Sequence, residues 1–333
     1  MALLLFALSA DRSTTPQHID QVERRPVRSN RADAAPPGQP SSDEARAAES
    51  FGPASGRPFT EASAWNAPIP ANPVLDPVGP AVAAYLGGER KGQANLYAYG
   101  VPVYDADAST RRYSVDCTEA WGRCDLERQL VPIPDSAQPS SGSDGAMVVI
   151  DWSTRRAYDF WQASRSPSGW IASWGGVSSI DGDGRGSPAT GAGVSRLAGV
   201  VRAFETRQGR IDHALVFSTD NACRELLRDP ATKTDGASSR PDCIPEGARI
   251  QLDPTINVDA IPGITPGEKM VAKALQVYGA YAIDNGGARL AVIFETPHGE
   301  QDPYPAAGLI GDYNPMPHVP WHRLRVLRRW DGR

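Results

Sequence analysis

The chain has little of what metal, nucleotide and nucleic-acid chemistry is built from. Its 333 residues include five histidines and four cysteines, and the cysteines fall as two local pairs, Cys117 with Cys124 and Cys223 with Cys243. Neither spacing supplies the closely spaced pairs of a zinc site. Two loop-closing disulfides, and with them an oxidising compartment, are the simpler expectation. Positive charge is not in excess: 34 lysines and arginines against 39 aspartates and glutamates leave a net charge of −5. That balance argues against the basic face a nucleic-acid partner requires, and the only basic cluster is the tail RLRVLRRWDGR. No apolar run approaches the ~18 residues of a membrane span, so no stable membrane insertion is expected. A G-x-S-x-G elbow, a P-loop cradle, a βαβ rhythm and an internal repeat are all missing. No cofactor and no metal is expected from the motifs present, and a monomer is expected.

What the chain does have is turn-formers and tryptophan. Its 32 glycines and 30 prolines point to many short elements. Eight tryptophans outnumber seven phenylalanines, and Trp suits a surface that is apolar yet donates a hydrogen bond. Sugar-binding clefts are such surfaces, though sandwich cores use Trp too. The first ten residues, MALLLFALSA, read as a signal-peptide remnant. Residues 11–56 are polar, without apolar periodicity, and read as a disordered linker. Residues 57–333 then form one β-sandwich domain.

That domain opens on RPFTEASAWNAPIPANPVLDP, whose prolines preclude a helix and predict an extended strap anchored by Trp65. PVGPAVAAYLGG reads as a short helix. GAMVVIDWSTRRAYDFWQA reads as a hairpin turning at Thr154-Arg155. Alternation places Val148, Ile150, Asp159 and Trp161 on one face, and Met147, Val149, Tyr158 and Phe160 on the other. Both faces are apolar, so cover on both sides is expected, one of them open to a ligand. Leu197, Val200, Val201 and Phe204 predict an amphipathic helix in SRLAGVVRAFETRQG, stopped by Gly209. TPGEKMVAKALQVYG is the clearest helix, with Thr265 as N-cap, Glu268 completing a capping box and Gly279 as the stop. AYAID, NGG and ARLAVIFE read as a second hairpin, and WHRLRVLRRW as an alternating terminal strand. Many short strands with two or three short helices predict a mainly β fold, a β-sandwich or jelly roll.

Three segments, SAWNAPIPANPVLDP, GRIDHALVF and ALQVYGAYAIDNGGA, together resemble secreted proteins of high-GC Gram-positive bacteria. Those proteins carry S-x-W-N-x-P-I-P and G-x-I-x-H-A-L motifs, and the resemblance runs from about residue 58 to 330. It implies secretion and a jelly-roll architecture, and it carries over no reaction.

Two constellations carry candidate chemistry. In IDHALVFS, alternation sets Ile211, His213, Leu215 and Phe217 on one face and Asp212, Ala214 and Val216 on the other. His213 is a candidate general base, and Asp212 the functional member if its own face lines a cleft. The plainer alternative is a core imidazole bonded to a buried partner. The second constellation is the strand carboxylates Asp159, Asp212, Asp284 and Glu295. Sugar hydrolysis needs two of them, about 5 Å apart for retention or roughly 6.5–9.5 Å for inversion. Trp161, Trp174, Tyr158 and Tyr281 are the candidate sugar-stacking residues. A polysaccharide lyase would draw instead on His213, Tyr281, Tyr278 and Arg202. Asp181-Gly-Asp-Gly-Arg-Gly resembles half a calcium loop, but its twelfth position is Ala192 where an EF-hand needs a bidentate Glu.

Export, a sandwich pattern, excess tryptophan and strand carboxylates together lead to a secreted carbohydrate-active protein. A glycoside hydrolase acting on an extracellular or cell-wall polysaccharide is the leading expectation. A non-catalytic glycan-binding module or a lyase is the alternative, and a surface protein with core tryptophans is a third class. A hydrolase predicts two titratable groups converging in a cleft. A binding module predicts exposed aromatics without that pair.

Overall fold

The computed structural model describes residues 57–88, 92–298 and 302–328. The expected signal-peptide remnant and linker lie outside the described residues. The chain is mainly β, a sandwich in which seventeen strands and three short helices are found among the described residues.

The sheets stack in layers, and the layering follows from alternation. At the centre, Met147–Asp151 (β5) and Arg156–Trp161 (β6) form the expected hairpin, with Val148 opposite Asp159 and Met147 opposite Phe160. Val103–Ala106 (β2) and Trp174–Ser179 (β9) flank it, giving the order β2-β5-β6-β9. On one side, Met147, Val149, Tyr158 and Phe160 pack into a core shared with a second four-stranded sheet. That sheet is formed by Leu130–Pro132 (β4), Arg112–Cys117 (β3), Gly169–Ala172 (β8) and Ser164–Ser166 (β7). On the other side, Val148, Ile150 and Ala157 meet Ala214, Val216, Tyr281 and Ile283. The last four belong to or adjoin a seven-stranded sheet. Its order is Tyr313–Pro315 (β16), Gln93–Asn95 (β1), Ala291–Ile293 (β15), Leu215–Thr219 (β10), Ala280–Asn285 (β14), Arg249–Leu252 (β13) and Leu324–Val326 (β17). Its far face carries Leu215, Phe217 and Ile250 into a third core beneath two helices, Gly79–Leu86 (α1) and Pro266–Val277 (α3). Ala222–Leu227 (β11) and Ile244–Glu246 (β12) pair separately at the two ends of the Cys223–Cys243 loop.

Both disulfides form as expected, Cys117–Cys124 and Cys223–Cys243. The longer loop, at a separation of 20 residues, gains roughly 3 kcal/mol from closure in the chain-entropy model. The helix at 266–277 has the expected capping box: the Glu268 N–H donates to Thr265 Oγ1 at 3.2 Å, and the Thr265 N–H donates to Glu268 Oε2 at 2.9 Å. Five strand pairs are parallel, among them β10 with β14 and β2 with β5. The sandwich is therefore mixed, with parallel as well as antiparallel pairs.

Three expectations need correction. The helix expected across 195–209 is only Ala203–Gln208 (α2). Gly199 lies at φ +67 and passes so close to its neighbours that a Cβ there would meet Val216 Cγ1 at 2.6 Å. The preceding residues therefore run as a non-helical path, and their apolar spacing serves two cores, Val201 one and Leu197 and Val200 the other. The 280–293 hairpin does not close either. β10 inserts between β14 and β15, pairing with one in parallel and the other antiparallel. The Asn285-Gly286 turn instead meets β10, where the Gly286 N–H donates to the Thr219 carbonyl at 2.9 Å. Finally, the terminal strand is short, Leu324–Val326. Both faces of the central hairpin are covered by protein along its middle, and only its Trp161 end is partly exposed.

Candidate functional site

His213 sits where the three motif segments meet. Asn66 folds the strap by donating from Nδ2 to the carbonyls of Pro58, Phe59 and Thr60. Trp65, fully buried, donates from Nε1 to the Asp183 carbonyl at 2.9 Å and lies edge-on to Tyr281, with ring centroids 5.2 Å apart. Its own carbonyl accepts the Ala214 N–H at 2.7 Å, and the Leu215 N–H donates to the Gly279 carbonyl at 2.9 Å. The S-x-W-N and G-x-I-x-H-A-L patterns are thus two halves of one clasp, and Tyr281 is the wall it closes on.

Inside the clasp, His213 has no free lone pair. Nδ1 lies 2.9 Å from the Ala214 carbonyl and Nε2 lies 3.1 Å from Glu205 Oε2. Carbonyl and carboxylate oxygens only accept, so both ring nitrogens carry protons. Burial works against that charge, but the Glu205 carboxylate outweighs it and holds the imidazole pKa above its ordinary value. Glu205 also accepts the Arg202 N–H at 2.8 Å, and Glu295 accepts both Arg202 Nε and the Ala203 N–H at 2.8 Å. The adjoining pocket, lined in part by Arg57, Phe59, Trp65, Arg202, Glu205 and His213, has a cavity volume of about 20 Å³. That holds a water and not a sugar ring. His213 and Glu295 are therefore held in paired charges under a strap.

The other expected residues scatter. Asp212 is partly exposed and pairs with Arg210 Nε at 2.6 Å. Asp159 is fully buried and accepts from Ser187 Oγ at 2.7 Å, the Arg196 N–H at 3.0 Å and Ser195 Oγ at 3.3 Å. It ties the glycine-rich loop to β6, and burial raises its pKa. Tyr158 and Tyr281 are enclosed in two different cores, so neither offers a face to a sugar. Both carboxylates of the half calcium loop are taken by arginines, Asp181 by Arg155 at 2.5 Å and Asp183 by Arg185 at 3.1 Å.

Asp284 lies in a second group of carboxylates, apart from the one that Arg202 gathers from Glu205, Glu295 and Asp105. Ligand oxygens of Asp235, Glu246 and Asp284 all lie within 4.8 Å of one another. β14 supplies Asp284, β12 supplies Glu246, and the loop closed by Cys223–Cys243 supplies Asp235. The Gly191 N–H donates to Asp284 Oδ1 at 2.7 Å, the Asn285 N–H to Asp235 Oδ1 at 3.1 Å, and the Asp235 N–H to Glu246 Oε2 at 3.2 Å. Burial, and then the Asp235 charge, push the Glu246 carboxyl up to about 9. Burial also pushes Asp284 up to about 6, with Arg196 opposing and Asp235 assisting. Asp235 and Glu246 lie in no pattern visible along the chain. Only the fold brings them to Asp284.

Trp161 and Trp174 do come together, as register partners of β6 and β9. Trp121, which lies inside the Cys117–Cys124 loop, leans over both, with centroids 5.5 and 5.8 Å away. It is 63% exposed, far beyond what a core residue of that size shows. Polar groups border the cluster: Ser173 Oγ donates to Gln162 Oε1 at 2.6 Å. Gln162, next to Trp161, is held at φ +53, a left-handed conformation that a non-glycine residue adopts at a cost. Trp121 was the residue to notice in the sequence, because CTEAWGRC offers its ring no large apolar neighbour.

Among the described residues, no helix is long and apolar enough to cross a membrane. Comparisons with known protein families, with curated proteins and with solved structures found no match.

Proposed function

We propose that this is a secreted glycan-binding protein whose contact surface is Trp121, backed by the partly exposed Trp161 and the buried Trp174. One observation carries the reading: a large indole stands exposed on a disulfide-braced loop, backed by two more indoles and bordered by side chains that hydrogen-bond. Such a surface offers a flat apolar face to a sugar ring and polar groups to its hydroxyls. The two disulfides suit an oxidising compartment, and the motif resemblance supports export. Binding is favoured over cleavage because Asp159, the expected carboxylate on the same strand as Trp161, is buried and bonded to Ser187, Ser195 and Arg196.

The full chain should be retarded on immobilised cell-wall or uronate polysaccharide. Trp121→Ala should lose that retention while melting at the wild-type temperature. Wild-type passage through every polysaccharide, or undiminished retention of the variant, would reject the reading.

Hydrolysis of the bound glycan is a second reading, supported by the separated protonation of Glu246 and Asp284, an arrangement that acid–base pairs use. Against it, Glu246 is fully buried. Release of new reducing ends, abolished by Asp284→Asn, is the result that would favour it.

A further inference from the structure

Three carboxylates from three separate segments meet at one point, and the middle one is incompletely satisfied. Glu246 is fully buried, and among the described residues its Oε1 receives no hydrogen bond, its side-chain neighbours being Thr234 and the Asp235 carboxyl. A buried oxygen of that kind costs free energy unless something occupies its lone pairs. Water-exposed carboxylates tolerate such neighbours easily, but a buried one does not. Gly191 passes close against these oxygens, where any side chain would intrude: a Cβ there would stand 2.4 Å from Asp235 Oδ1 and 2.6 Å from Glu246 Oε1. The backbone N–H groups of Gly191, Asn285 and Asp235 hold one oxygen of each carboxylate in place.

We propose that Asp235, Glu246 and Asp284 bind one Ca²⁺ ion. The donors are all oxygen, which selects a hard cation. Oxygens within 4.8 Å of one another are close enough for one ion to bridge at Ca²⁺–O distances of about 2.3–2.6 Å. Mg²⁺ suits the place less well, since it keeps several of its waters and demands octahedral geometry. Asp235 is exposed and gives the ion its way in. Bound there, the ion ties the loop between Cys223 and Cys243 to β12 and β14, a second fastening beside the disulfide. The site shares no residue with the tryptophan surface, and its reading does not depend on glycan binding.

The test is calorimetric titration of the chelator-stripped full chain with CaCl₂ and, separately, MgCl₂, alongside thermal unfolding. One saturable Ca²⁺ site per chain is expected. Ca²⁺ about 100-fold above its Kd should raise the unfolding midpoint by roughly 5–10 °C. Asp235→Asn, at an exposed position that the fold tolerates, should weaken Ca²⁺ at least tenfold, and Glu246→Gln should abolish the site. Absence of saturable binding with identical midpoints in Ca²⁺ and chelator would overturn the proposal. So would Ca²⁺ affinity unchanged in both variants, or Mg²⁺ binding as tightly as Ca²⁺. A carboxylate that holds the ion has no proton to give. Reducing-end release that Asp284→Asn abolishes would therefore also overturn it. Retention on polysaccharide is a separate readout, so failure of either proposal leaves the other standing.

Discussion

Two clusters of buried charge stand in the same protein and differ in sign pattern. Around His213, cations and anions alternate: the imidazolium meets Glu205, and Arg202 meets Glu295. Around Glu246, three carboxylates crowd together and, among the described residues, one oxygen receives no hydrogen bond. The first cluster is complete within the chain and has a structural role, closing the strap over the sheet. The second is incomplete within the chain. Position in a conspicuous motif misdirects here: the histidine that looks most like a catalyst is the one whose protons are fully committed.

The sharpest way to break this comparison is to remove one partner from the complete cluster. Glu205→Leu leaves a protonated imidazole buried without its anion, and should cost about 3–5 kcal/mol of stability in denaturant unfolding. Glu205→Leu combined with His213→Leu should recover much of that loss, because an apolar pair replaces an ion pair at far smaller cost than a lone charge. A double variant as unstable as the single one would show that the charges are not what the clasp depends on.

The pH dependence gives a smaller effect with a definite sign. The folded-state pKa of His213 is raised, so the stabilisation is complete below the unfolded value of about 6.5. It is lost as pH rises through the folded pKa, by about 1.4 kcal/mol for each tenfold gain in proton affinity that folding brings. The stability difference between the wild type and His213→Gln should therefore shrink on going from acid to alkaline pH. A difference that stays flat across that span would mean that the imidazole is neutral in the fold.

How much of this was legible in the chain depends on how local the signal was. The central hairpin, with its two apolar faces, and the helix opened by Thr265 and Glu268 are written in nearest-neighbour terms, and the structure has them where alternation and capping put them, except that Trp161 at the hairpin's end packs with Tyr158 and Phe160 and not on the Asp159 face. The hairpin expected around Asn285-Gly286 failed because β10, sixty-odd residues upstream, pairs with both arms, and pairing between distant strands leaves no local mark. The 195–209 helix failed for a related reason: apolar spacing that mimics a helix came from a chain alternating between two cores. Of the site residues, Trp161 and Trp174 were readable as aromatics at strand positions. Glu205 was hidden as a capping residue, and Asp235 and Glu246 as ordinary loop and strand-end acids. Charges converge in three dimensions, and only alternation and capping survive projection onto the sequence.

The smallest effect is also the one that separates the clusters by sign. Removing a charge from the His213 cluster should destabilise, whereas removing one from the Glu246 cluster should not. In chelator, Asp235→Asn keeps an oxygen for the Asn285 N–H and relieves repulsion between like charges. The expected result is a midpoint raised by about 1–2 °C, the scale of one like-charge contact. In Ca²⁺ the order should invert, with the wild type melting higher, because the variant has given up a ligand. The crossing of the two midpoints is the observable. It requires both that the carboxylates repel one another when alone and that a cation reverses the balance. If Asp235→Asn instead lowers the midpoint equally in both conditions, the trio is held by its backbone hydrogen bonds, as His213 is held by Glu205, and the contrast between the two clusters disappears.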